Sequence, residues 1–169
     1  MTHEDEPVGP TRAIAKRVKE LRGERGLTGA NLAERMTELG VPWDRSIVAN
    51  LENGRRGSVS VAELLGLAFV LDVAPIHLLV PAWPSPLWDE EGHSRPEGEP
   101  NEPNDDAPYQ ITPTLAVPCW RARQFVRGSR PLPGMDAWKF YAEQPAHERP
   151  DAEGLRKMVE SNQRYAGGA

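Results

Sequence analysis

The 169-residue sequence holds a single cysteine, Cys119, which excludes an internal disulfide framework and a cysteine-based zinc site. Its four histidines, His3, His77, His93 and His147, stand far apart, with no H-x-x-x-H spacing to suggest a metal pair. No metal and no cofactor are expected. Neither a GxxxxGK[ST] phosphate loop nor a GxGxxG turn is present. No stretch approaches the roughly 18 consecutive apolar residues of a membrane span. The first residues, Met1 to Pro7, are acidic and lead into no apolar segment, so they are not a secretory signal. A cytoplasmic protein is expected. Hydrophobic residues make up 38%, below the average for a compact domain, so part of the chain is not expected to fold on itself. With a net charge of -5, a uniformly basic coat is excluded, and any anion-binding face must be local.

The charge is unevenly spread. Residues 10–81 carry ten basic and eight acidic side chains, whereas residues 82–108 carry one arginine, Arg95, against eight acids. Residues 109–169 return to nine basic against six acidic. The acidic block also holds six prolines and almost no aliphatic side chains. It cannot bury enough apolar surface to offset chain entropy, and reads as a linker. Only Trp83, Leu87 and Trp88, near its start, have the character to pack back on the preceding domain.

Before the linker the pattern is helical. Ile14, Val18 and Leu21 fall on one face of a helix that Pro10 opens and Gly26 stops. Thr28 is placed to cap a second helix with the stripe Leu32, Ala33, Met36 and Leu39, ended by Gly40. Asp44 caps a third, Arg45 to Glu52, with Val48 and Leu51 inward and Asn53-Gly54 as its stop. Ser60 and Glu63 have capping-box spacing for a fourth helix, and Pro75 opens a short fifth.

The ordered set Val18-Lys-Glu-Leu-Arg22, Gly26-Leu-Thr28, Asn31-Leu-Ala-Glu-Arg35 and Ser46-Ile-Val-Ala-Asn-Leu-Glu-Asn-Gly-Arg55 resembles the Xre/phage-repressor–Cro helix-turn-helix family. The resemblance covers residues 12–81. It implies a five-helix repressor-like DNA-binding domain, sequence-specific binding of double-stranded DNA, and transcriptional regulation as a homodimer on two half-sites. Two departures stand out. Gly29 replaces the glutamine common in the family, leaving only backbone N–H groups there for phosphate. The turn before Asp44 is also several residues longer than the family's tight turn.

In this family the second helix of the motif enters the major groove. Here its outward positions are Arg45, Ser46, Ala49 and Asn50, opposite Val48 and Leu51. Arg45 suits guanine, Asn50 adenine, Ala49 a thymine methyl, and Ser46 either a donor or an acceptor. The bland alternative is the wet face of any amphipathic helix. Thr28, Gly29, Arg55, Arg56 and Ser58 are the candidate phosphate contacts, with Arg12, Lys16 and Lys19 as outlying additions. Glu52 is expected to pair with a neighbouring cation such as Arg35.

Residues 109–169 read as a loosely structured C-terminal tail of short amphipathic pieces around Cys119–Val126, Ala137–Ala142 and Asp151–Tyr165. Cys119 sits beside Trp120 and two arginines, but no histidine or acid is positioned to complete a nucleophilic pair, so no enzyme is expected. The expected whole is all-α, divided into domain 10–81, acidic proline-rich linker 82–108 and tail 109–169. The rival is a protein-interaction module, antitoxin-like or scaffold, whose tail takes a protein partner. No membrane partner is expected.

Overall fold

A computed structural model describes residues 8–80 and 107–166. Among them are eight helices and one two-stranded sheet, so the chain is mainly helical. It divides into two compact units, Met1–Cys119 and Trp120–Ala169. The linker assigned to 82–108, with Trp83, Leu87 and Trp88, lies outside the described residues except for its last two positions.

The first unit begins with α1 (Pro10–Glu24), α2 (Gly29–Glu38), α3 (Arg45–Glu52), α4 (Val61–Val70) and α5 (Pro75–Leu79). Their starts follow from side-chain chemistry. Thr28, Asp44 and Ser60 each accept a backbone N–H from three residues on, which satisfies a donor the helix cannot. Thr28 with Asn31, and Ser60 with Glu63, form reciprocal capping boxes. Prolines open α1 and α5, where their missing N–H costs nothing.

The ends share one device. After α1, α2, α3 and α4 the chain turns through a left-handed residue, and the next N–H reaches back five residues to close a Schellman motif. Those bonds run from Leu27 to Arg22, Val41 to Met36, Arg55 to Asn50 and Val73 to Ala68. Glycine fills three of the left-handed positions, at 26, 40 and 54, and Asp72, with φ of 51°, fills the fourth. Val18, Leu32, Met36, Val48, Leu51 and Leu67 are at most 1% exposed at the centre of the unit. Gly66 of α4 is buried against Met36: a Cβ there would lie 3.0 Å from its Cε.

The all-α expectation is corrected by residues 108–118. β1 (Pro108–Thr112) and β2 (Leu115–Pro118) pair antiparallel, with Tyr109 opposite Val117 and an irregularity between Gln110 and Thr112. Val8 adds a parallel bridge to Tyr109. The Tyr109 hydroxyl donates to Leu79 O at 2.7 Å, so the hairpin joins the α5 end of the first unit. Burial, and secondarily the nearby Cys119, pushes the Tyr109 phenol above its ordinary range. The prolines at 108, 113 and 118 stand at the strand ends and the turn, where proline is tolerated. Those same prolines make the segment read as broken.

In the second unit the three amphipathic pieces are helices: α6 (Cys119–Val126), α7 (Ala137–Ala142) and α8 (Ala152–Ala166). Asp136 caps α7, Phe140 meets Tyr141 edge-to-face at 5.2 Å, and the Tyr141 hydroxyl donates to Ser129 O at 3.3 Å. Residues 108–166 therefore hold a hairpin and three helices rather than a loose tail.

A left-handed aspartate costs strain that glycine avoids. Asp72→Gly is expected to raise stability by about 0.5–1 kcal/mol, read as a higher urea midpoint with unchanged slope. A lower midpoint would mean that the Asp72 side chain contributes more than its backbone strain removes.

Candidate nucleic-acid interface

The outward face of α3 is built by what its inward face buries. Val48 and Leu51 are 1% and 0% exposed, which turns Arg45, Ser46, Ala49 and Asn50 to solvent. These four, singled out from the sequence, lie exposed along two turns of one helix. Asp44 fixes the start: its carboxylate accepts from Ile47 N at 2.9 Å and from the Ser46 hydroxyl at 2.6 Å. The Ser46 bond, then the Ile47 bond, draw the Asp44 carboxyl below its ordinary range. Ser46, left open as donor or acceptor by its residue type, has its proton committed to Asp44 and presents lone pairs outward.

Two anchors hold α3 at its ends. At its C-terminus Glu52 receives both arms of Arg22 from α1, Nε at 2.6 Å and Nη2 at 2.9 Å. Arg22 Nη1 also donates to Leu27 O at 2.7 Å. This bidentate pair joins α1, the α1–α2 turn and α3, and its hydrogen bond to Glu52 raises the Arg22 pKa. The expected partner Arg35 is thus corrected to Arg22, which lies 30 residues back in sequence but one helix away in space.

At the other end the long α2–α3 turn is clasped. The Thr37 hydroxyl lies 3.0 Å from both Ala33 O and Trp43 O and accepts from Trp43 N at 3.3 Å. Trp43 is buried, and its indole Nε1 donates to Glu63 Oε1 at 2.9 Å. Arg56 Nη1 donates to the same oxygen at 2.9 Å while its guanidinium sits 5.5 Å from the Trp43 ring centre. Burial alone would raise the Glu63 carboxyl. The Ser60 N–H, Arg56, Trp43 and the Ser60 hydroxyl outweigh it and hold it down at about 2.

The candidate phosphate residues separate accordingly. Arg55 and Ser58 are exposed beyond α3, whereas Arg56 is half-buried in the knot with Trp43 and Glu63. Thr28 and Gly29 open α2. The Thr28 hydroxyl is engaged with Asn31 Oδ1 at 2.6 Å, and Gly29 lies where α2 meets α3, its Cβ position 3.6 Å from Val48. Arg12, Lys16 and Lys19 are exposed on α1. Sequence reasoning missed Arg22, Thr37, Trp43 and the second role of Glu63. A tryptophan immediately before an N-cap was the available signal for one of them.

Cys119 is buried and His77 exposed. Among the described residues no group of three His, Cys, Asp or Glu is placed to hold a metal. No helix among them is long and apolar enough to cross a membrane. No family model, curated protein or solved structure matches the chain.

Glu63 gives the unit a pH signature. Its folded carboxyl is more acidic than its unfolded one, so below pH 4.5 the unfolded chain takes up protons first. The stabilisation is complete above pH 4.5 and fades as pH falls toward about 2. Urea midpoints measured from neutral pH downward are expected to fall more steeply in the parent than in Glu63→Gln. Parallel curves would remove Glu63 as the organising acid. Arg22→Ala strips a nearly buried carboxylate of its partner and is expected to cost about 2–3 kcal/mol. A loss within about 0.5 kcal/mol would assign α3 to some other anchor.

Proposed function

We propose that residues 10–81 are a repressor-like helix-turn-helix domain that binds double-stranded DNA sequence-specifically and serves transcriptional regulation as a homodimer. The observation that carries this reading is the α2–α3 pair: α3 is locked at both ends and presents Arg45, Ser46, Ala49 and Asn50 on one exposed face. An eight-residue helix with small and hydrogen-bonding side chains outward suits the major groove. Arg45 would meet guanine and Asn50 adenine. Ser46, its proton on Asp44, suits the amino group of adenine or cytosine. Arg55, Ser58 and the Gly29 N–H would hold phosphates, whereas the Thr28 N–H and hydroxyl are both taken by Asn31. The order of side chains in the sequence, with its resemblance to the Xre family, supports the same reading.

A second reading draws on the other unit. An open groove of about 620 Å³ is lined by Met135, Phe140 and Pro145 among others, and Trp138 of the same helix as Phe140 is exposed. It favours a protein-interaction module acting through residues 109–169, as an antitoxin-like or scaffold protein.

Selection from a random duplex pool tests the first reading. The parent is expected to enrich one motif, with affinity falling steeply with salt. Arg45→Ala and Asn50→Ala are each expected to weaken the enriched site about ten- to hundredfold and relax one base position, with thermal unfolding unchanged. Failure to enrich any sequence would move the interaction module ahead.

The two adjacent arginines are expected to differ. Arg55→Ala should flatten the salt slope by about one unit at unchanged stability. Arg56→Ala, which breaks the Trp43–Glu63 knot, should lower stability by about 1 kcal/mol or more. Identical behaviour of the two would contradict the separation drawn between them.

A further inference from the structure

The core explains every large apolar side chain of α4 but three. Leu64, Leu67, Ala68 and Val70 pack inward, and Gly66 sits against Met36. Val61, Leu65 and Phe69 do not: they are 73%, 52% and 74% exposed. Their spacing, four residues and then four, stacks them in one stripe along the helix. A surface helix of a folded domain normally turns polar side chains outward, and α4 does the opposite.

Charge decides what fits this stripe. The only ionisable side chain in α4 is Glu63, and it is already held by Arg56 and Trp43. The outward face offers nothing to an oppositely charged partner. Two identical faces brought together normally set like charge against like charge, and this face has none to oppose. The stripe is also symmetric about Leu65. A second α4 laid antiparallel sets Leu65 on Leu65 and each Val61 against the other copy's Phe69, small against large.

We propose that the Val61–Leu65–Phe69 stripe is the contact between two copies of this chain, as an antiparallel α4–α4 pair about a two-fold axis at Leu65. The proposal deepens the dimer part of the reading above and rests on it for its purpose, although the contact itself is between proteins. A standard interface removes about 800 Å² from each partner, and three side chains on a helix of about 15 Å fall short of that. The free pair is therefore weak. It forms fully when two domains sit on neighbouring half-sites, where effective concentration reaches the millimolar range. Self-association and site occupancy are thereby coupled, and two half-sites fill cooperatively.

Cysteine cross-linking without DNA tests the contact in the full chain, because a disulfide closes only when two Cβ atoms come within about 3.5–4.5 Å. Under a mild oxidant Leu65→Cys is expected to form a covalent dimer about tenfold faster than Glu34→Cys, an exposed position on α2. A mixture of Val61→Cys and Phe69→Cys proteins is expected to give the mixed dimer faster than either alone. Thermal midpoints close to the parent's confirm that each variant is folded. Leu65→Cys reacting no faster than Glu34→Cys overturns the proposal. Fast Leu65→Cys with no preference for the mixed dimer overturns the antiparallel arrangement. Cross-linking that succeeds in a chain that selects no DNA keeps the contact and removes the DNA reading, and the converse keeps the DNA reading alone.

Discussion

One carboxylate, Glu63, gathers the segments on which the rest of the first unit depends. It caps α4 through the Ser60 N–H, takes the Trp43 indole from the α2–α3 turn, and takes Arg56 from the α3–α4 turn. The two turns flanking α3 are therefore tied to the same side chain. A charged acceptor filled by three donors in a half-buried site is worth more than the same bonds in water. The same filling keeps the acid ionised well into acidic solution.

The second anchor acts from the opposite end. Arg22 of α1 grips Glu52, the last residue of α3, while bonding the carbonyl that begins the approach to α2. With both ends held and Val48 and Leu51 buried, little rotation is left to α3. The outward residues inherit a fixed direction without contacts of their own. Arg45 and Asn50 are exposed and carry none of these ties, whereas Arg22 and Glu63 hold in place a face that neither of them forms.

Much of this was legible in the sequence because it is local. Thr28, Asp44 and Ser60 as caps, glycines 26, 40 and 54 as stops and the prolines opening α1 and α5 are signals read within a few residues. The α3 limits, Arg45 to Glu52, follow from them. What was not legible is long-range. Nothing near Glu52 marks Arg22 as its partner over Arg35. Nothing near Trp43 points to an acid 20 residues on. The hairpin at 108–118 was hidden by prolines that sit harmlessly at its ends. Asp72, which fills a position usually given to glycine, carried no stop signal. The exposed stripe of α4 was masked for the opposite reason: a helix apolar almost all round reads as buried, and only the structure separates the side chains that are from those that are not.

The proposed DNA contact rests on the outward face of α3. The most direct measurement is a backbone amide NMR titration of the full chain with a mixed-sequence duplex at low salt. The proposed contact requires the largest shifts at Arg45, Ser46, Ala49 and Asn50 and at Gly29, Arg55 and Ser58, with their loss as salt is raised. Shifts confined to residues 120–166, or none at all, would contradict it.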